Sequence, residues 1–408
     1  MDSGNLAWAV VATALVLLMA PGVALFYGGL VRARSVISMM MMSFGALGLI
    51  GVLWILFGFQ MSAVDTTWAF AGNPFADVGL AGADDDTLVR AAYSATFAII
   101  AVALISGAIA DRAKFGAWML FAGLWATLVY FPVAAWVWGG GWIMGLGEQL
   151  GYSVDVIDYA GGTAVHINAG AAAFALAFVL GKRIGFRKGL AKPHNVPLVM
   201  LGAAILWFGW FGFNAGAQGV AGLLGTDESA VGLIVVNTLG ATAAAILGWM
   251  VVEKLKDGKA TSVGAASGAV AGLVAVTPAC ASLTPGWALL LGVLAGAICA
   301  IAVELKWALG FDDSLDVVGV HLVGGLVGTL FLGFFATGTG LFLGGGYEQL
   351  VLQFVAAFGV LVYSFVVAWL LGFAIEKTIG FRIRNEDEVA GVDTAVHGER
   401  GYSLTDAD

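Results

Sequence analysis

The chain has 408 residues, 60% of them hydrophobic and 11% charged, with a mean hydropathy of +0.95. An ordinary soluble domain is about one quarter charged, so ions cannot cover this surface and lipid is the solvent for most of it. A net charge of −9 rules against nucleic acid as a partner.

A membrane-crossing helix needs about 20 mostly apolar residues. Uncharged stretches run 3–31, 35–64, 91–110, 115–147, 159–181, 193–226, 229–252, 260–303, 317–347 and 349–375. Nine of them hold one span each. The stretch 260–303 has room for two and is broken at Thr284-Pro285-Gly286. The sum is an all-α integral membrane protein of eleven transmembrane helices, an odd number that puts the termini on opposite sides. No basic residue precedes the first stretch, which therefore reads as a retained span and not as a cleaved signal.

Alternating the loops places every Lys and Arg except Arg90 on one side. The positive-inside rule makes that side cytoplasmic, with the N-terminus outside and the C-terminus inside. Residues 1–375 form the membrane domain and 376–408 a cytoplasmic tail. The outer loops carry Asp65, Asp77, Asp84, Asp85, Asp86, Glu148, Asp155, Asp158, Asp227 and Glu228. Such a face keeps loops soluble, and it also concentrates a small cation.

Glycines recur at helical spacing, at Gly209, Gly212 and Gly216, at Gly264, Gly268 and Gly272, and at Gly324 and Gly328. Small residues four apart let membrane helices approach closely. Cys280 and Cys299 lie in apolar stretches without His or Cys at metal spacing and read as small core residues.

Asp158 to His166 and Asp313 to His321 share a spacing of eight, each leading into a Gly-rich helix. These are the fifth and tenth spans, so the two copies start on opposite sides of the membrane. That is the mark of two inverted five-helix repeats with an eleventh helix outside them.

No Asp, Glu, Lys or Arg interrupts an uncharged stretch, so carriers and pumps that route charge through buried carboxylates are disfavoured. His166 and His321 are the groups in the spans that titrate near neutrality; His194 and His397 lie in a basic loop and the tail. An imidazole among lipid-facing apolar groups must find a hydrogen bond. Inversion would bring both histidines to the shared interface, where a neutral pair shares one proton and still offers a donor or acceptor to a guest. Two imidazoles without carboxylate or thiolate make a poor metal site. Trp138 ends the fourth span on the outer face. It reads either as an interfacial anchor or as a π surface for a cation.

Six segments resemble the ammonium transporter family of Amt, Mep and Rh proteins, most closely its bacterial Amt branch. They are PGVALFYGG at 21–29, WGGG at 138–141, DYAGGTAVH at 158–166, GWFGFNAG at 209–216, VTPAC at 276–280 and DVVGVH at 316–321. The resemblance implies a cell-membrane homotrimer with one pore per subunit, taking ammonium or ammonia, with methylammonium as an analogue. No cofactor is implied. By position, His166 and His321 resemble the central pore pair, Phe97 and Phe213 the stacked outer gate, and Tyr27 a pore-adjacent residue. Trp138, Trp210, Ala217 and Asp158 fall where the family recruits ammonium, Asp158 by holding backbone. The family usually has serine at the position of Ala217, so one acceptor is lost there. Arg382, Gly391 and Asp393 match its regulatory tail, under which a PII signalling protein docks in relatives. The implied mechanism is deprotonation near the gate and passage of ammonia along an apolar pore. An ammonium sensor, an intramembrane enzyme and a urea or water channel are the competing classes, separated by whether substrate is bound, changed or moved.

Overall fold

The computed structural model describes residues 3–64, 70–187, 192–220 and 230–402. Asp65, Lys188, Asp227, Glu228, Asp406 and Asp408 lie outside the described residues. Among those described the chain is helical, without strands. Ten helices are long and apolar enough to cross a membrane. They are α1 (Ser3–Leu30), α2 (Ala33–Met61), α3 (Asp85–Ile109), α4 (Phe115–Trp138), α5 (Gly162–Leu180), α6 (Val196–Gln218), α7 (Val231–Asp257), α9 (Pro285–Leu309), α10 (Val318–Phe335) and α11 (Glu348–Thr378). Between α7 and α9 lies the shorter apolar α8 (Ser262–Val276). Helices serve here because hydrocarbon offers no partner for backbone N–H and C=O groups.

Charge is confined to the helix ends. Helix α3 opens with Asp85 and Asp86 under an Asp84 cap whose carboxylate accepts from Thr87 N at 2.8 Å, and α7 ends in Lys254 and Lys256. Anions at N-termini and cations at C-termini suit the helix dipole.

The break in 260–303 falls where Pro285 opens α9, but α8 stops at Val276, short of what the uncharged stretch allowed. Pro278 supplies no N–H, and the chain turns through 277–283 inside the bundle. Buried non-helical backbone there needs partners. The Asn237 amide provides them, donating to Cys280 O at 2.8 Å and Leu283 O at 2.7 Å.

The glycine stripes mark helix crossings. A Cβ at Gly212 would stand 2.7 Å from Leu15 Cβ, and one at Gly216 2.6 Å from Ala12 Cβ, so α6 lies directly on α1. Gly268 and Gly272 bring α8 equally close to Trp249 and Ala245 of α7. Close backbone approach lets dispersion hold helices together where hydrophobicity does not.

Candidate functional site

Helices α5 and α10 begin alike. The Asp158 carboxylate accepts from the backbone N–H of Gly161 (2.9 Å), Gly162 (2.6 Å), Thr163 (2.9 Å) and Ala164 (2.9 Å). The Asp313 carboxylate accepts from Val317 (3.1 Å) and Val318 (2.7 Å). Each aspartate thus satisfies the free donors of a buried helix start. Burial pushes the Asp158 carboxyl above its ordinary value, against the pull of its four N–H partners. Both helices then open in a π-helical turn, Gly162–Ile167 and Val318–Leu322, and each turn carries a histidine. Such turns widen the helix locally and recur at functional sites.

On one side of this pair lies a cavity of about 460 Å³, lined by Trp138, Met144, Asp158, Tyr159, Ala281 and Ser282 among others. The Trp138 indole N–H donates to Asp158 O at 2.8 Å, which fixes the ring. Phe97 meets Trp138 edge-on, at 6.2 Å between centroids and 89° between planes. Phe97 also stacks on Phe213 at 4.0 Å and 14°, and Phe213 is fully buried.

Trp210 lies one helical turn before Phe213 and is not among the residues lining the cavity beside Trp138. Its ring stacks on His166 at 5.4 Å and 14°, and its N–H donates to Thr277 Oγ1 at 2.7 Å. The Nδ1 atoms of His166 and His321 stand 3.3 Å apart, with the rings 5.3 Å apart and 19° from parallel. One proton between two Nδ1 atoms makes one imidazole a donor and the other an acceptor. Of the two outlying Nε2 atoms, one therefore carries hydrogen and the other a lone pair. His166 Nε2 is buried with no hydrogen-bond partner. His321 faces a narrow cavity of about 10 Å³ lined by Val23, Phe26, Tyr27, Leu104 and Trp210, among other residues. That is room for about one molecule the size of water. Tyr27 keeps its hydroxyl out of play by donating to Leu104 O at 3.1 Å. Among the described residues no cluster of three or more His, Cys, Asp or Glu stands ready to hold a metal.

Ala217 is buried and brings no polar atom. Beside it, the Gln218 side-chain oxygen accepts from the Tyr159 hydroxyl at 3.0 Å. Sequence reasoning passed over Tyr93, whose hydroxyl donates to Gly212 O (3.0 Å) and Phe213 O (2.9 Å) while its ring lies 5.0 Å from Phe97. An aromatic four residues before Phe97, on the same helix face, was the available signal. Thr277 stands inside the VTPAC segment, where no local pattern marks its hydroxyl as the acceptor for Trp210.

At the other end, the tail packs under the bundle. Arg382 donates to Leu180 O at 2.9 Å and pairs with Glu388 at 2.7 Å. Asp393 accepts from Ile37 N (3.1 Å) and Ser38 N (2.7 Å). Gly391 has φ +124°, and a Cβ there would meet the Arg34 stem at 2.9 Å, so glycine is required. A buried cluster lies above: Arg183 forks onto Asp312 at 3.0 and 2.9 Å and reaches Asp111 at 3.1 Å. Burial pushes the Asp312 carboxyl up, but the hydrogen bonds and charge of Arg183, with Arg112 beyond, hold it below its ordinary value.

Ten helices long and apolar enough to cross a membrane, with a buried pair of histidines among them, define a multi-pass membrane protein. The model of the Ammonium Transporter Family matches residues 7–402. A relative named "Ammonium transporter" from Mycobacterium tuberculosis H37Rv is 51% identical, covering 99% of this chain and 91% of its own. The crystal structure of Saccharomyces cerevisiae Mep2 superposes with a TM-score of 0.86 at 33% identity, covering 100% of this chain and 93% of that one. A structure described as "Sensor Amt Protein" superposes at 0.87 and 26% identity, covering 96% and 98%. The chain belongs to the ammonium transporter family, and ammonium transport is the activity this membership supports.

Proposed function

We propose that the protein recruits ammonium at the cavity beside Trp138, passes its proton to water near the Phe97–Phe213 gate, and conducts ammonia past His166 and His321, the proton crossing separately so that net transport carries charge. The observation that carries this reading is the imidazole pair, its Nδ1 atoms 3.3 Å apart, with His321 facing an apolar cavity that holds about one small guest. An ammonium ion entering such a space dry would cost several kcal/mol or more. Ammonia instead accepts from one Nε2–H and donates to the other Nε2. At the mouth the Trp138 face contributes about 0.5–2 kcal/mol to holding the cation.

The same reading takes the ten long helices and the shorter α8 as eleven spans in the cell membrane, N-terminus outside. The matching Asp-capped, π-turned starts of α5 and α10 support two inverted five-helix repeats. Residues 376–408 form a regulatory tail through Arg382, Gly391 and Asp393, although helix α11 continues to Thr378 before the chain turns under the bundle. A homotrimer and a PII protein docked on the cytoplasmic face complete the proposal on family grounds.

The test is current on a supported membrane after an ammonium jump, with native protein beside His166→Ala and His321→Ala. Saturable current that falls at least tenfold in both variants is expected. Ammonium bound by native protein without current or ammonia flux in liposomes would instead make it a sensor, a role that the fold shared with the sensor protein keeps in view.

A further inference from the structure

Ammonium is a tetrahedral cation with four N–H donors, and an aromatic wall meets only its charge. Holding it at the mouth while water is stripped away also takes an oxygen with free lone pairs, and few side chains lining the outer cavity supply one. The Asp158 carboxylate is occupied by four backbone N–H groups, and its carbonyl by the Trp138 indole. Ala217 brings none.

Tyr159 differs. It follows Asp158, lines the cavity that Trp138 lines, and carries its hydroxyl to Gln218 on α6, the helix of Phe213. In that bond the phenol donates and the amide oxygen accepts, at 3.0 Å in a partly exposed position. The hydroxyl hydrogen is thereby turned away and the oxygen is left as an acceptor. The ring cannot drift, because its backbone N–H is tied to Pro278 O at 3.2 Å and the residue is 6% exposed.

We infer that the Tyr159 hydroxyl, oriented by Gln218, is the oxygen that accepts an ammonium N–H at the outer mouth and sets the affinity for the cation. This rests on the transport reading above and adds to it a binding residue that Trp138 and the gate do not provide. It also gives Gln218 a task, as a positioning residue that fixes which way the phenol points.

The experiment is ammonium-evoked current as a function of concentration, in liposomes holding native protein, Tyr159→Phe or Gln218→Leu. Tyr159→Phe keeps the ring and removes only the oxygen. Its half-saturating ammonium concentration should rise about threefold to tenfold, the worth of one hydrogen bond, with maximal current within about twofold of native. Gln218→Leu, which frees the phenol to turn, should raise it by a smaller factor. A half-saturation in Tyr159→Phe within about 1.5-fold of native overturns the inference. So does a fall in maximal current without a rise in half-saturation, which would place the residue in the packing of the gate. Absence of flux in the native protein would defeat the transport reading instead, so the two failures are distinguishable.

Discussion

Replacing Asp158 and Asp313 in turn by alanine tests how the two histidine helices are held at their starts. In a buried helix start each backbone N–H left without a partner costs about 1–3 kcal/mol. Asp158 serves four such donors and Asp313 two. Taking the low end, because deleting a buried carboxylate also removes the cost of burying it, gives about 4 kcal/mol for Asp158→Ala and about 2 kcal/mol for Asp313→Ala. Asp158→Asn keeps one acceptor oxygen for Gly161 and Gly162 but turns an amide donor toward Thr163 and Ala164, so it should lose about half of the larger value. The assay is chemical unfolding in detergent micelles, paired with ammonium-evoked current. Current should fall with stability in Asp158→Ala, because the π-helical turn that carries His166 begins at the capped residues. Equal losses at the two positions within about 1 kcal/mol, or no loss at Asp158, would refute the reasoning.

Phe213→Ala removes a fully buried ring from the 4.0 Å stack with Phe97; it should cost about 3–5 kcal/mol and raise osmotic water permeability of proteoliposomes measured by stopped flow. Asp312→Asn leaves the buried Arg183 with Asp111 as its remaining anion and should cost about 3 kcal/mol at pH 7. The Asp312 carboxyl is held below its ordinary 3.8, so its contribution is complete above that value and is lost as pH falls through the lower folded one. The gap between native and variant in unfolding should therefore close below about pH 4. Asp393→Ala frees the Ile37 and Ser38 N–H groups; limited proteolysis should cut the tail faster, with current retained if the tail regulates and does not conduct.

What the sequence by itself determined is whatever depends on neighbours in the chain or on the solvent. Apolar stretches must become helices because hydrocarbon leaves backbone groups no other partner, and Pro285 opens a helix because its missing N–H is free there. The matched spacing of Asp158 to His166 and Asp313 to His321 is legible for the same reason, since a carboxylate caps donors only a few residues ahead. The glycine stripes announced close crossings without saying which helices cross. Tertiary structure alone decided that His321 meets His166 across 155 residues, that Phe97 stacks on a ring 116 positions away, and that Asn237 on another helix donates to the carbonyls of the turn after α8. It also placed Trp210 against His166 and drew the tail's Arg382 to Leu180. Arg183, which in the sequence counts only as one more cytoplasmic charge, became the centre of a buried cluster for the same reason. Contacts of that kind depend on how helices lean on one another, and no local pattern carries that information.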